Sequence, residues 1–106
     1  MPSYLLQANY TGEGLKGLMK DKASGRKKAV VEAVASLGGT VESFYYCFGK
    51  YDVIVVVHIP DNVSAAALAL AVCGSGLVQT RTTPLLSVEE TDAALTKAVK
   101  YRGPGK

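Results

Sequence analysis

The sequence has little of what metal and redox chemistry need: no tryptophan, two cysteines and a single histidine, His58. Cys47 and Cys73 lack CxxC spacing, and no cysteine–histidine spacing fits a zinc site, so no metal centre is expected from this chain alone. Two such cysteines read as small apolar side chains rather than as a disulfide. The longest uninterrupted apolar run, Ala65 to Cys73, has nine residues, about half of the ~20 needed to span a bilayer. No membrane helix is expected. The opening stretch MPSYLLQANY has no basic region before its short apolar segment, so it does not read as a secretory signal, and a cytoplasmic location is expected. No serine lies in a GxSxG elbow, no glycines have P-loop or GxGxxG spacing, and Gly12-Glu13-Gly14 is too short to cradle a phosphate. The residues therefore identify no cofactor, and neither internal repeats nor low-complexity segments interrupt the chain.

What is present suits one small domain. With 106 residues, 48% of them apolar and 20% charged, the chain can bury a core. Residues 1–100 are assigned to a single domain, and 101–106, which show no periodicity, to a tail. The net charge is only +3, yet Lys16, Lys20, Lys22, Arg26, Lys27 and Lys28 fall close together. Such a run attracts anions, although on a helix it is more often a solvated face.

The chain is organised around Thr40 to Ile59, read as two strands joined by a tight turn at Gly49-Lys50. The first arm sets Glu42, Phe44, Tyr46 and Phe48 on one face against Val41, Ser43, Tyr45 and Cys47. The second, Val53 to Val57, is apolar at every position, which calls for cover on both faces. Before the hairpin, Ser3 to Tyr10 alternates as a strand, and Thr11 caps a short helical turn carrying Leu15, Leu18 and Met19. The pattern breaks over 21–25, where Ser24 offers a new N-cap. A longer helix with the stripe Ala29, Val30, Ala33, Val34, Leu37 then runs to Gly38-Gly39, a left-handed stop. After the hairpin, Pro60-Asp61-Asn62 opens a helix from Val63 to about Cys73 whose small side chains suit close packing. Leu77 to Leu86 is a strand with a polar face and with Pro84 at an edge or bulge. Ser87-Val88-Glu89-Glu90 has capping-box spacing, and Ala94, Leu95, Ala98 and Val99 give a last helix its stripe.

The order β-α-β-β-α-β-α is the ferredoxin-like split βαβ plus a C-terminal helix, an α+β fold on a four-stranded antiparallel sheet. Helices cover one face of such a sheet. The apolar second hairpin arm therefore predicts a homo-oligomer closed through the other face, of the dimeric α+β barrel type, with a dimer favoured over a trimer or larger ring.

Several of these stretches together resemble the GYD domain family over nearly the whole chain. They are Asn9-Tyr10-Thr11, Leu37-Gly38-Gly39, Phe44-Tyr45-Tyr46, Phe48-Gly49-Lys50-Tyr51-Asp52-Val53, Ser75-Gly76, and Thr80-Arg81-Thr82-Thr83 with Leu85-Leu86. The Gly, Tyr and Asp of the family's name are not contiguous here, because Lys50 lies between Gly49 and Tyr51. The resemblance implies a small bacterial protein with a ferredoxin-like fold and no established activity.

Polar residues offer candidates for a ligand site. Tyr51-Asp52 sets a phenol beside a carboxylate near a turn, able to orient a ligand or move a proton, or else to satisfy turn amides. Arg81 in its threonine-rich strand could grip a carboxylate or phosphate, with Thr80, Thr82 and Thr83 supplying hydroxyl donors, or simply guard an edge. Tyr10, Arg26 and Tyr46 complete the predicted ligand-binding set. His58, between Val57 and Ile59, reads as a packed histidine. A small-ligand-binding or regulatory module is the first reading. The alternative is an enzyme of the dimeric α+β barrel kind, a monooxygenase or isomerase acting on a small aromatic or carbonyl compound. It would use Phe44, Tyr46 and Phe48 as an apolar pocket with Tyr51 and Asp52 at its mouth. Nucleic-acid binding through the sheet is not expected, because the RNA-recognition signature is absent.

Overall fold

One row of valines sets the layers. In β3 (Val53–His58) the side chains of Val53, Val55 and Val57 are buried, while Ile54, Val56 and His58 between them are half-buried. This is the period-two pattern of a sheet covered on one side. The computed structural model describes residues 1–106 and places β3 in a four-stranded antiparallel sheet. The other strands are β1 (Ser3–Tyr10), β2 (Thr40–Tyr46) and β4 (Val78–Leu85), in the order β2-β3-β1-β4. Helices α1 (Gly12–Ser36) and α2 (Asn62–Gly74) lie on the buried face, and a short α3 (Val88–Leu95) follows β4. The architecture is the expected ferredoxin-like α+β fold. The core gathers Tyr4, Val34, Val57 and Ile59, all fully buried, with Ala65 and Leu68 from α2. No helix is long and apolar enough to cross a membrane.

Local chemistry explains most boundaries. Thr11 accepts from the Gly14 amide at the start of α1, Asp61 accepts from Ser64 at the start of α2, and Ser87 with Glu90 forms the full capping box of α3. Gly38, at φ 77°, turns the chain out of α1 in the left-handed region that glycine enters without strain. The Tyr4 phenol, buried beneath the helices, donates to Asn62 Oδ1 at 2.6 Å and so joins β1 to the head of α2.

Four local expectations are corrected. The break expected over 21–25 is a single residue: Lys22, at φ 68°, kinks α1, and Ser24 lies within the second helical segment instead of capping it. The hairpin closes through a loop over 47–52 rather than a tight turn at Gly49-Lys50, with Phe48 in that loop fully exposed. A β-bulge between Val41 and Ser43 shifts the alternation of β2. Opposite Val57, Val55 and Val53 stand Val41, Phe44 and Tyr46, so Val41 faces the helices while Glu42 contacts His58 on the other face. Lastly, α3 ends at Leu95, short of Ala98 and Val99, and every residue from Thr83 to Arg102 is exposed.

That C-terminal segment is not packed on the body. The radius of gyration is 16.9 Å and the longest dimension 56 Å, against about 13 Å for the radius of a compact chain of this length.

At Gly14 the backbone of α1 passes so close to the Leu77 carbonyl that an added Cβ would collide with it, whereas a Cβ on Gly17 meets nothing within 4 Å. Urea unfolding should therefore show Gly14→Ala destabilised by ~1–3 kcal/mol and Gly17→Ala stabilised by ~0.5–1 kcal/mol. Equal midpoints for the two variants would show that α1 does not pass Leu77 this closely.

Candidate functional site

Between the helices and the sheet the packing is incomplete. The sheet forms a floor of paired rows, Thr82-Leu6-Val55-Phe44 and Thr80-Ala8-Val53-Tyr46, with Val78 beside Tyr10 at one end. The roof is Ala29, Val30 and Ala33 of α1 with Leu68, Ala69 and Val72 of α2. The alanines that suggested close packing instead leave a chamber of about 110 Å³ with an almost wholly apolar lining. A cavity of ~150 Å³ with apolar walls takes up benzene, so this chamber is of the size that holds part of one small ring. A more open cleft of about 340 Å³ adjoins it and shares Tyr10, Arg26, Leu68 and Val72.

Polar groups meet at the end where the chamber opens. Of the six cations clustered on α1, only Arg26 turns inward to line both spaces, and the five lysines are exposed. Its guanidinium lies 3.7 Å from Asp21 Oδ2, too far for a good hydrogen bond, so most of its donors remain free. Tyr46 stands next to it and donates to the Ala23 carbonyl at 3.2 Å, beyond the Lys22 kink. Burial pushes the Tyr46 phenol up from about 10 to about 12; the neighbouring Tyr10 phenol adds to the rise, and the Arg26 charge opposes it. Tyr46 therefore remains a neutral hydrogen-bond donor through the whole physiological range. Deeper in, the buried hydroxyl of Thr82 has no hydrogen-bond partner, a deficit that a ligand or water atom would remove.

The structure divides the predicted site residues into three groups. Tyr10 and Arg26 line this mouth, and Tyr46 stands beside them on a separate open groove that Asp52 also lines. Asp52 lies at the end of the hairpin loop, where its Oδ2 accepts from the Tyr10 amide at 2.9 Å and its own amide donates to the Ala8 carbonyl at 2.9 Å. Tyr51 is beside it in the loop, under the Lys50 ammonium and accepting from Cys47 Sγ through its carbonyl. Arg81 and Thr83 alternate with Thr80 and Thr82 along β4 and so lie on the opposite face of the sheet, across from Gln7 and Leu5. Period-two counting along 80–83 separates the two pairs. The expected wall of Phe44, Tyr46 and Phe48 is reduced to the first two, whose rings meet edge to face at 5.3 Å.

One polar group went unrecognised in the sequence. On the open face, Ser3 Oγ is 2.9 Å from His58 Nδ1, and His58 Nε2 is 2.9 Å from Glu42 Oε1. If Nε2 carries the ring proton, it donates to Glu42 and Nδ1 accepts from the serine. Ser3 lies in a regular strand between two neighbours, not at a turn where backbone amides converge on an oxyanion. The relay therefore reads as a clamp across β1, β3 and β2. Its partners are 55 and 16 residues apart in sequence, so no local motif marks it.

The tyrosine pair should be visible in an alkaline titration of phenolate absorbance, with one tyrosine ionising near pH 12. The folded chain keeps a proton that the unfolded chain releases near pH 10, so the stability Tyr46 contributes is complete below that pH and is lost as pH rises toward 12. Tyr46→Phe should remove the late step, and Tyr10→Phe should move it toward the ordinary range. A single titration step for all exposed and half-buried tyrosines would contradict the cluster.

Compared with curated proteins and with solved structures, the chain finds no significant match. A family model does match, from the first buried tyrosine of β1 to the last residue of α3. It covers residues 4–95, the sheet, its three helices and the whole chamber, and by it the chain belongs to the GYD domain family.

Proposed function

We propose that this GYD-domain protein is a binding module for a small amphiphilic anion: an apolar, ring-sized body with one carboxylate or similar group. The observation that carries this reading is the inward turn of Arg26, the one cation of its cluster to face an otherwise apolar chamber. A guanidinium beside a low-dielectric space, with Asp21 only loosely engaged, is poised for a bidentate anion. The neutral Tyr46 phenol and Tyr10 stand beside it as further polar partners. The apolar body would rest on Leu6, Val55 and Phe44, and an acceptor on its far side would complete the Thr82 hydroxyl. Apolar walls with a few convergent polar groups are the usual form of small-molecule sites. Arg81 and Thr83, on the other face of the sheet, take no part in this site.

Benzoate and benzene serve as probes in heteronuclear NMR titration. Benzoate should shift the amides around Tyr10, Arg26 and Thr82. Arg26→Gln should weaken benzoate binding by roughly 10- to 100-fold, as for loss of a charged hydrogen bond, and leave benzene binding unchanged. Ala69→Phe, which fills the chamber, should abolish both. If benzoate binds with equal affinity to wild type and Arg26→Gln, or if neither probe shifts the chamber amides, the reading fails.

A further inference from the structure

The sheet face opposite the chamber carries Leu5, Tyr45, Ile54, Val56 and Leu85, none of them fully buried. The segment after β4 carries Leu86, Val88, Leu95, Val99 and Tyr101, each more than two thirds exposed. One chain thus has a bare apolar face and a bare apolar arm. We infer that the arm, residues 86–101, lies on the open sheet face of a second copy of this chain, and that the two copies exchange arms across a two-fold axis.

Three observations favour a second copy as the occupant. The arm starts at the rim of the face: Leu86, Ser87 and Glu90 border a shallow depression with Ser3, Glu42 and Val56. From there it is held clear of its own body, in a molecule 56 Å long whose eight-residue strands span only about 27 Å. Its charge is also split. Glu89, Glu90 and Asp92 make the first half acidic, and Lys97 and Lys100, with Arg102 just beyond the arm, make the second half basic. Two arms running antiparallel across a two-fold axis would set each acidic half against the other's basic half, a self-complementary pattern. The area is also sufficient: ten large apolar side chains at roughly 60–100 Å² each come close to the ~800 Å² per partner of a stable complex. Such an exchange would also place the Ser3–His58–Glu42 clamp at the edge of the interface.

The test uses the full chain and does not depend on the chamber. Sedimentation equilibrium at micromolar concentration should give twice the chain mass of 11.1 kDa. The double variant Leu95→Asp with Val99→Asp changes residues that are more than three quarters exposed in their own chain. Its circular dichroism should match wild type, while its dimer dissociation constant rises at least about a hundredfold. Carbodiimide cross-linking of mixed ¹⁴N and ¹⁵N chains should join Lys97 or Lys100 of one isotope to Glu89, Glu90 or Asp92 of the other. A wild-type mass of 11.1 kDa, a double variant that stays dimeric, or cross-links confined to single isotopes would each overturn the inference.

Discussion

The alternation along β3 is the constraint on which the rest of the molecule depends. Val53, Val55 and Val57 leave water only if two helices lie over them, and both α1 and α2 are held on that side by Tyr4, Val34 and Leu68. With both helices committed to one face, the chain has only α3 left for the other, and α3 stands away from it. The two faces of the sheet therefore meet different conditions. One is roofed by helices too rich in alanine to fill the space, and the other is left with half-covered apolar side chains beside an extended arm.

The chamber follows from the sizes of side chains rather than from any special motif. Ala8 in the floor, with Ala29, Ala33 and Ala69 in the roof, removes volume at adjoining positions, while Leu6, Phe44, Leu68 and Val72 keep the walls apart. An apolar void costs dispersion contacts that a closed core would have made. Here that loss lies next to a guanidinium only loosely paired with Asp21 and an unpartnered hydroxyl, so packing energy and polar satisfaction are deficient at the same place. A ligand of the right shape would make up both at once, which is why the chamber, and not the loop carrying Tyr51 and Asp52, is the stronger binding candidate.

Much of the fold was legible because its signals are local. Caps at Thr11, Asp61 and Ser87, the glycine stop after α1 and the alternation of β1 depend on a few neighbouring residues, and each appears as read. What was not legible depends on partners distant in sequence. The bulge in β2 is defined only by its pairing with β3, and the Ser3–His58–Glu42 clamp joins three strands. The length of α3 depends on whether a body lies beneath Ala98 and Val99, and in this chain none does. Tyr10, Arg26 and Tyr46 were readable as a list of residues, whereas their proximity to one another required the β1–β3–β2 register and the kink at Lys22. Arg81 is the converse case: its parity relative to Thr80 and Thr82 was visible in the sequence, yet which parity faced the helices was not.

The bulge at Val41/Ser43 also bears on how such a strand can change over time. Val41 and Ser43 stand opposite the successive residues Val57 and Val56, so Glu42 is the surplus residue. Loss of that one codon would close the bulge into a regular ladder and leave Phe44 and Tyr46 opposite Val55 and Val53, whereas a one-residue slip of the pairing would turn every later side chain to the other face. The strand thus has a reading frame of its own, and the bulge is a place where a residue can be lost without shifting it. Chains of this architecture could gain or lose that single residue and keep the same binding surface, a step that a comparison of aligned side chains alone would score as a gap.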